Sequence, residues 1–431
     1  MVKKRLKIFA SAFLSNPVFT AALVCAVLFY SNSVKLRDRN RFLCLVPLEQ
    51  VASINGQLVS NPVKSSAGKE IYSADFKVEK VFSKNGGEFS SKGNVKILIP
   101  SAMVEKFYPG KLFTASRKSK EKNFIFENGN TFFLEGSFTQ GELSFFSVKN
   151  ARAGGFEKSL KGKIQYFRGL CRLQFKRLMY GWGNAGGLLL ALLSGSREYT
   201  ESATRNAFTD AGLAHILALS GMHLSLFGGI AFFFGNRITR RNLADFFQLA
   251  AVFFFVWFAG LSPSLFRAML SSIIVFVNSS LRMKRFKGIT VLSATFLLHA
   301  CIFPEHLKSA AFMLSYGALA GIMSFGQIFK ILLGKRLFPK LSAGLSESAG
   351  AQLFTAPVTL SFFGKLMPVG IIAGMVVSPL VTFFLYAGLT GTLMCLILPF
   401  LSGVFSAIMN IIYFILKEIV LFFAKAPQIR I

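Results

Sequence analysis

The stretch GLAHILALSGMHLSLFGG, Gly212–Gly229, has the apolar content of a membrane helix but contains two histidines, His215 and His223. Titratable side chains are costly inside a bilayer, and those that occur there usually line a path or a binding site. In one continuous helix over Ala211–Phe234, the two imidazoles lie within about 80° of each other. The stretch therefore predicts a membrane helix with a polar face.

The composition of the whole chain indicates a membrane protein. Of its 431 residues, 53% are hydrophobic, 50 are Phe and only 16% are charged, a balance that is unusual for a soluble domain. A helix needs about 20 apolar residues to span the hydrocarbon layer. The long uncharged windows are Ile8–Val34, Ala211–Phe234, Phe246–Phe266, Gly288–Pro304, Ser309–Phe329 and Leu366–Leu416. We predict a polytopic α-helical membrane protein with about eight or nine crossings.

The sequence has no pattern typical of a metal site, a cofactor site or a nucleotide-driven motor. The five cysteines are scattered and form no CxxC pair, so neither a zinc site nor a disulfide framework is predicted. The sequence contains no GxxxxGK[ST] phosphate loop and no HxHxDH pattern. We therefore expect no cofactor and no metal.

Two segments precede the main apolar region. Residues 1–34 combine basic residues with a long apolar run and predict an uncleaved signal-anchor helix. Residues 35–150 are polar, with alternating runs such as YSADFKV and NVKILIP and a hairpin signal at Asn128-Gly129. About five or six strands of this kind predict a small all-β domain, either a barrel or a sandwich.

Residues 151–181 form a strongly basic segment with apolar residues at roughly helical spacing, which is typical of an amphipathic helix at a membrane interface. Its basic residues either hold lipid phosphates or bind DNA. They are Arg152, Lys158, Lys161, Lys163, Arg168, Arg172, Lys176 and Arg177.

The positions of the basic residues predict the orientation of the chain. Basic clusters at 237–241, 282–287 and 330–340 are each separated by two apolar crossings. The positive-inside rule places these clusters and the N-terminus in the cytoplasm, and the β domain on the opposite side of the membrane. Between Lys35 and Arg177 there are 26 Lys or Arg and 12 Asp or Glu. The rule does not explain this excess of positive charge outside the membrane. The excess therefore favours a polyanion such as DNA as a partner.

Three blocks of residues 182–431 resemble the ComEC family of bacterial competence proteins. In GLAHILALSGMH the matches to the family pattern are Gly212, His215, Ala218, Ser220, Gly221 and His223. In AGLSPSLFRA they are Gly260, Ser262, Pro263, Arg267 and Ala268. In the third block they are Gln352, Leu353, Pro357, Phe363, Gly364 and Pro379. The blocks follow in the family's order over about residues 188–398, so residues 182–431 are identified as a competence-type membrane domain.

The resemblance implies an inner-membrane channel component that imports single-stranded DNA during natural transformation, with an external OB-like β domain that holds nucleic acid. Besides the DNA and the lipid bilayer, the implied partners are an external DNA receptor and a cytoplasmic ATPase or strand-binding protein; a homo-oligomer is also allowed. The implied polar seam consists of Asp210, His215, Ser220, Gly221, His223, Arg267 and Gln352. In that seam Arg267 either meets phosphate or pairs with Asp210.

The sequence departs from the family at several positions. Ser309 and Met313 replace an acid and an amide, and Gly374 stands where Asn is common. We therefore expect a less polar lining than is usual. The sequence ends at Ile431, so we also expect a form without the metallo-β-lactamase-like domain that many members carry.

Two other functions stay open. One is a transporter of a small solute or a lipid-linked polymer. The other is an intramembrane hydrolase that uses Ser220 with His223 or His215, which requires hydrogen-bond reach and an oxyanion hole. No GxSxG elbow frames Ser220, so we expect a transport protein rather than an enzyme.

Overall fold

A computed structural model describes residues 16–31, 42–64, 70–108, 125–139, 145–217, 219, 221–238, 241–281, 286–333 and 338–430. A β-sheet occupies the N-terminal part, and helices make up almost all of the rest. This order agrees with the predicted sequence of an all-β domain followed by a helical region.

Seven strands form one sheet: β1 Val51–Leu58, β2 Val63–Lys64, β3 Ile71–Ser83, β4 Glu88–Ser90, β5 Asn94–Pro100, β6 Asn130–Phe138 and β7 Phe145–Phe156. β1 pairs with β3 and β6, β6 pairs with β7, β7 pairs with β5, and β5 pairs with β3. These pairings close a ring of five strands. All of them are antiparallel except the parallel pair β5–β7.

The interior of this ring is the core of the β domain. Along β3 the side chains of Tyr72, Phe76 and Val78 alternate with exposed or half-buried residues, as the sequence pattern predicts. Each large apolar side chain buried in this way contributes about 1.5–3 kcal/mol. β7 runs to Phe156, so the sheet continues past the boundary that we predicted at residue 150. Residues 151–156 are therefore strand and not the beginning of the basic helix.

The helices of the described residues are α1 Pro17–Tyr30, α2 Ser101–Val104, α3 Leu160–Gly181, α4 Gly183–Ser194, α5 Ser202–Asp210, α6 Ala214–Leu217, α7 Gly221–Ile238, α8 Arg241–Ala259, α9 Pro263–Ser280, α10 Gly288–Ile302, α11 Ala310–Gly321, α12 Gln327–Leu333, α13 Pro339–Phe363, α14 Gly370–Ile397 and α15 Ser402–Ala424. A π-helical turn, Ile322–Gly326, joins α11 to α12. Two short strands, β8 Lys365–Leu366 and β9 Ile429–Arg430, pair with each other.

Three helical stretches within the described ranges are long and apolar enough to cross a membrane: Ala310–Leu332, Gly370–Ile397 and Pro399–Ala424. Shorter apolar helices are Pro17–Tyr30, Gly183–Ser194, Ala244–Ala259 and Gly288–Ile302. Together with the apolar composition, these helices make the chain a membrane protein. The predicted orientation and the predicted eight or nine crossings stay predictions.

The predicted signal anchor corresponds in part to α1, which packs against α10. The amide of Asn16 donates to Oγ1 of Thr290 at 2.7 Å, and the hydroxyl of Tyr30 donates to the carbonyl of Leu307 at 3.0 Å. The remainder of residues 1–34 lies outside the described residues.

The helix predicted over Ala211–Phe234 is interrupted. After α5, Gly212 adopts a left-handed φ of 73°, which a residue without a Cβ reaches at little cost. The single turn α6 follows, and α7 begins only at Gly221. His215 therefore lies on α6 and His223 on α7. The prediction that both imidazoles share one face of one helix is wrong.

α3 joins the two cores of the molecule. Its residue Leu173 packs into the interior of the β domain, whereas Phe175 and Leu178 pack among the helices. Tyr180 contacts both cores. The β domain is therefore held against the helical region along the C-terminal half of α3.

Candidate functional site: a polar cavity along α9

A cavity of about 1090 Å³ lies among α6, α7, α8, α9, α10, α11 and α14. Three of the sequence-predicted seam residues line it: His215, Gly221 and Arg267. Much of the remaining polar lining consists of hydroxyl groups. These belong to Ser225, Ser264, Ser271, Ser272, Ser279, Ser315 and Ser378.

α9 forms the longest wall of the cavity. Ser264, Arg267, Ser271, Ser272 and Ser279 all line it. Their successive spacings are three, four, one and seven residues, which places all five within about 140° of the helix circumference, on one broad side. From the first to the last of them, the helix rises about 22 Å, compared with a hydrocarbon core of about 30 Å. The polar face along the cavity is therefore about three quarters as long as a hydrocarbon core is thick.

The hydroxyl groups of this wall are satisfied without a ligand. Ser271 donates to the carbonyl of Arg267 at 3.1 Å, and Ser272 donates to the carbonyl of Ala268 at 3.0 Å. Such i−4 bonds satisfy the hydroxyl proton inside an apolar bundle and leave the oxygen as an acceptor. The wall is therefore polar and imposes no unpaired serine donor on the bilayer.

Arg267 is the only Lys or Arg among the lining residues that the structure describes. Its side chain is buried, and its Nε donates to Oγ of Ser315 at 2.8 Å. The guanidinium also lies 5.9 Å from the centre of the Tyr316 ring, a cation–π distance. Residues of α11 therefore hold this cation against the cavity wall.

Gly221 allows that arrangement. A Cβ atom at this position would lie 2.9 Å from a terminal nitrogen of Arg267 and 3.4 Å from Cβ of Ala268. A larger residue would therefore push the guanidinium aside. The structure thus brings together Gly221 and Arg267, which the sequence offered only as separate motif positions.

Among the described residues, the other predicted seam positions, Asp210, His223 and Gln352, do not line the cavity. His223 is buried on α7. Asp210 pairs with Lys365 at 3.7 Å, which corrects the expectation of an ion pair with Arg267. The amide of Gln352 donates to the backbone carbonyl of Met367. Ser220 and Ala218 lie outside the described residues.

Two motif blocks nevertheless meet at one place behind the cavity. A Cβ atom on Gly212 would lie 2.9 Å from Cβ of Met367 and 3.0 Å from Cα of Gly370. Gln352 binds the carbonyl of the same Met367. Gly212 and Gln352 therefore hold the broken segment against the loop before α14.

Sequence reasoning missed the serines and Asp245. Ser279 donates to Oδ2 of Asp245 at 2.8 Å at one end of the cavity. The signal was present in SPSLFRAMLSSIIVFVNSS, in which serines recur at positions 264, 271, 272 and 279. A search for hydroxyl periodicity in apolar segments would have found this face.

Sequence reasoning also missed two histidines beside the cavity. His299 is buried, and its Nε2 lies 2.9 Å from Nδ1 of His306. Its Nδ1 lies 3.2 Å from the hydroxyl of Tyr316, the ring that Arg267 faces. Within the described ranges, no three His, Cys, Asp or Glu side chains are grouped to hold a metal ion.

The sequence profile of the family described as "Competence protein" matches residues 192–431, which is more than half of the chain. The chain belongs to the competence protein family. The match includes every helix that lines the cavity. It begins after the β domain and α3, so those parts are not covered by the family match.

Curated relatives of this competence family member match about half of it. The ComE operon protein 3 of Bacillus subtilis is 28% identical over 207 residues, which cover 47% of this chain and 25% of that protein. The recombination protein 2 of Haemophilus influenzae is 27% identical over 216 residues, 46% of this chain and 27% of that protein. An uncharacterized protein of Aquifex aeolicus is 30% identical over 200 residues, 46% of this chain and 45% of that protein. The match thus spans less than half of each relative. No solved structure is significantly similar to the chain.

The basic segment of this family member divides into exposed and buried residues. Arg152, Lys158, Lys161 and Lys163 are exposed, whereas Arg168 and Arg177 are half-buried. Arg177 donates from Nε to the carbonyl of Phe107 at 3.1 Å. Burial, with a contribution from the neighbouring Arg172, lowers the pKa of Arg168 to about 10.

Arg172 and Lys176 do not belong to a nucleic-acid surface, which corrects their sequence-based assignment. Only 1% of Arg172 and 3% of Lys176 is exposed. Nε of Arg172 lies 3.0 Å from the Glu127 carboxylate, and its NH1 donates to the carbonyl of Phe258 at 2.8 Å. Nζ of Lys176 lies 3.2 Å from the Glu198 carboxylate. Both cations are therefore neutralised inside the protein.

These four charges connect the β domain to the helices. Glu127 lies just before β6, Arg172 and Lys176 lie on α3, and Glu198 lies between α4 and α5. Lys176 also donates to the hydroxyl of Tyr108 at 2.7 Å. Burial lowers the pKa of Lys176, but Tyr108, Glu198 and Glu127 together raise it above its ordinary value. Lys176 therefore stays charged, and the network is balanced.

Proposed function

We propose that this competence family member carries single-stranded DNA across the inner membrane during DNA uptake, along the cavity beside α9. The observation that carries the proposal is the polar face of α9, which follows the cavity for about 22 Å and includes Arg267 and four serines. A polyanion cannot cross hydrocarbon without such a hydrated, polar route. An external DNA receptor and a cytoplasmic ATPase or strand-binding protein would complete the pathway.

A cavity wall with a single positive charge suits a transport path for DNA better than a tight binding site for it. A path must bind its cargo strongly enough to admit it and weakly enough to release it. Arg267 offers one strong site for a phosphate. The oxygens of Ser271 and Ser272, whose protons are donated to backbone carbonyls, offer neutral acceptors for water and for the amino groups of bases. A wall with many arginines would retain a strand at several phosphates at once.

Cysteine labelling tests the cavity. In a variant without the native cysteines, we expect His215→Cys to react with a membrane-impermeant thiol reagent, because residue 215 lines the cavity. We expect His223→Cys to stay unreactive, because residue 223 is buried on α7. An added oligonucleotide should slow the reaction at position 215.

The outcome at position 215 is decisive. No reaction at this position in a folded, membrane-inserted protein would contradict an aqueous route. Reaction without any effect of an oligonucleotide would favour the small-solute or lipid-linked polymer transporter.

The β domain supports nucleic-acid binding outside the membrane. Its ring order β1-β6-β7-β5-β3, with the parallel pair β5–β7, supports an OB-like barrel, a class that often binds single strands. Across the outer face, Lys80, Asn55, Phe133 and Arg152 stand opposite one another on four neighbouring strands. Phe82 packs edge-to-face on Phe133, with ring centres 5.3 Å apart. Lys80 pairs with Glu88 at 2.6 Å and Arg152 pairs with Glu135 at 3.0 Å, but both pairs are exposed and contribute only about 0–1 kcal/mol. Phosphates can therefore replace these carboxylates, and the row of two cations, an amide and an aromatic ring can contact both phosphates and bases.

Salt dependence tests this row in the full chain, reconstituted in nanodiscs. We expect Lys80→Gln with Arg152→Gln to reduce the slope of log affinity against log salt by about 1.4, since each phosphate contact on a single strand contributes about 0.7. Lys106→Gln is the control, because this exposed lysine follows α2 and lies on none of the four strands that form the row. An unchanged slope in the double variant would place DNA binding elsewhere.

A further inference from the structure

α3 carries an exposed apolar row on the side that faces away from the sheet. Leu160, Ile164 and Phe167 are 77%, 47% and 60% exposed and lie about one turn apart. The opposite side packs on the β domain: a Cβ atom on Gly129 would lie 2.3 Å from the Gln165 side chain, and a Cβ atom on Gly169 would lie 3.6 Å from the Phe156 ring. A continuous apolar row of this kind is unfavourable in water and indicates a surface that something apolar covers.

The row continues onto a helix that faces lipid. The Phe167 ring stacks on Trp257 of α8, with centres 6.1 Å apart, and Trp257 lies 5.6 Å from Phe254. Phe254 is exposed on this apolar helix. Trp257 lies near the end of α8, as tryptophans do at the boundary between hydrocarbon and headgroups. The row on α3 is therefore at the depth of the headgroups.

Three exposed lysines accompany the row: Lys158, Lys161 and Lys163. We propose that the N-terminal half of α3 lies in the headgroup layer of the leaflet beneath the β domain, and that these lysines bind the phosphates of anionic lipids. Lysines can lay their aliphatic stems on an apolar surface and reach phosphate with the ammonium group. DNA would satisfy the ammonium groups but would leave the apolar row uncovered. This inference does not depend on DNA being transported.

Tryptophan fluorescence in liposomes tests the proposal. The chain has two tryptophans, of which Trp182 is buried, so quenching by brominated lipid reports mainly on Trp257. In the full chain we expect brominated phosphatidylglycerol to quench more strongly than brominated phosphatidylcholine at equal mole fraction. Changing Lys158, Lys161 and Lys163 to glutamine should abolish that preference.

The matched control removes three exposed lysines of the β domain, Lys77, Lys84 and Lys92, and should keep the preference. Equal quenching by the two lipids in the unaltered chain would overturn the proposal. So would a preference that survives in the α3 variant. If the α3 variant lost affinity for an oligonucleotide and its quenching did not change, the α3 lysines would bind DNA and not lipid. Labelling at position 215 tests the DNA path along the cavity, and quenching of Trp257 tests lipid binding by α3, so failure of one proposal can be distinguished from failure of the other.

Discussion

Replacing Arg267 with methionine is expected to lower the recovery of transformants by about ten- to a hundredfold, in a host whose own copy of the gene is deleted. Arg267 is the only Lys or Arg of the described cavity lining. A hydrogen bond to a charged group contributes about 1.5–3 kcal/mol, and each 1.4 kcal/mol corresponds to about a factor of ten. Methionine has a similar length and no charge, so the substitution removes the phosphate contact with little loss of packing.

Arg237→Gln is the matched control for the Arg267 variant. This arginine lies exposed near the end of α7, over the Phe233 ring, and its removal should leave the transformant count unchanged. Immunoblotting of membranes must show equal accumulation of both variants. Normal transformation by an Arg267→Met protein that accumulates normally would remove Arg267 from the path. An unchanged count after deletion of the whole gene would argue against uptake as the protein's role.

The second large effect is on stability. Glu127→Gln is expected to destabilise the junction between the β domain and the helices by about 3–5 kcal/mol, because it leaves the buried Arg172 without its nearest counter-charge. In detergent, the midpoint of thermal unfolding should fall by about 3–6 °C, because the entropy of unfolding scales with the length of the chain. Cleavage by protease between β7 and α3 should become faster, since that connection depends on the docked helix.

Glu135→Gln is the control for charge removal from the same domain. Glu135 pairs with Arg152 at 3.0 Å, but the Arg152 side chain is 71% exposed. Surface pairs of this kind contribute only about 0–1 kcal/mol, so the midpoint should hardly move. Equal, small shifts for Glu127→Gln and Glu135→Gln would mean that the buried network does not hold the two parts together.

Local sequence patterns predicted the strands and helices better than they predicted which residues line the cavity. Period-two alternation identified the strands because a barrel buries every second side chain, as in β3. The uncharged apolar windows identified helices, because hydropathy is also a property of neighbouring residues. The break between α5 and α7 escaped prediction, because nothing in the apolar content of GLAHILALSGMH distinguishes a continuous helix from two short ones.

The predictions that failed most often were those about charged residues whose partners lie far away in the sequence. Arg172 and Lys176 have the composition of a basic surface in sequence, but their counter-charges Glu127 and Glu198 come from other elements. Asp210 and Arg267 were plausible partners in sequence, yet Lys365 takes Asp210, and Ser315 takes Arg267. Neither outcome could be read from spacing along the chain.

The sequence by itself determined that this chain is a membrane protein with a β domain ahead of its helices, and its motifs indicated the competence family. Periodicity and hydropathy are properties of neighbouring residues, so they are present before the chain folds. Only the tertiary structure decided which motif residues meet at the cavity. Gly221 and Arg267 come together there, whereas Gly212 and Gln352 pack behind it. The reason is that a cavity wall is made of side chains from separate helices, and their contacts depend on packing rather than on sequence order.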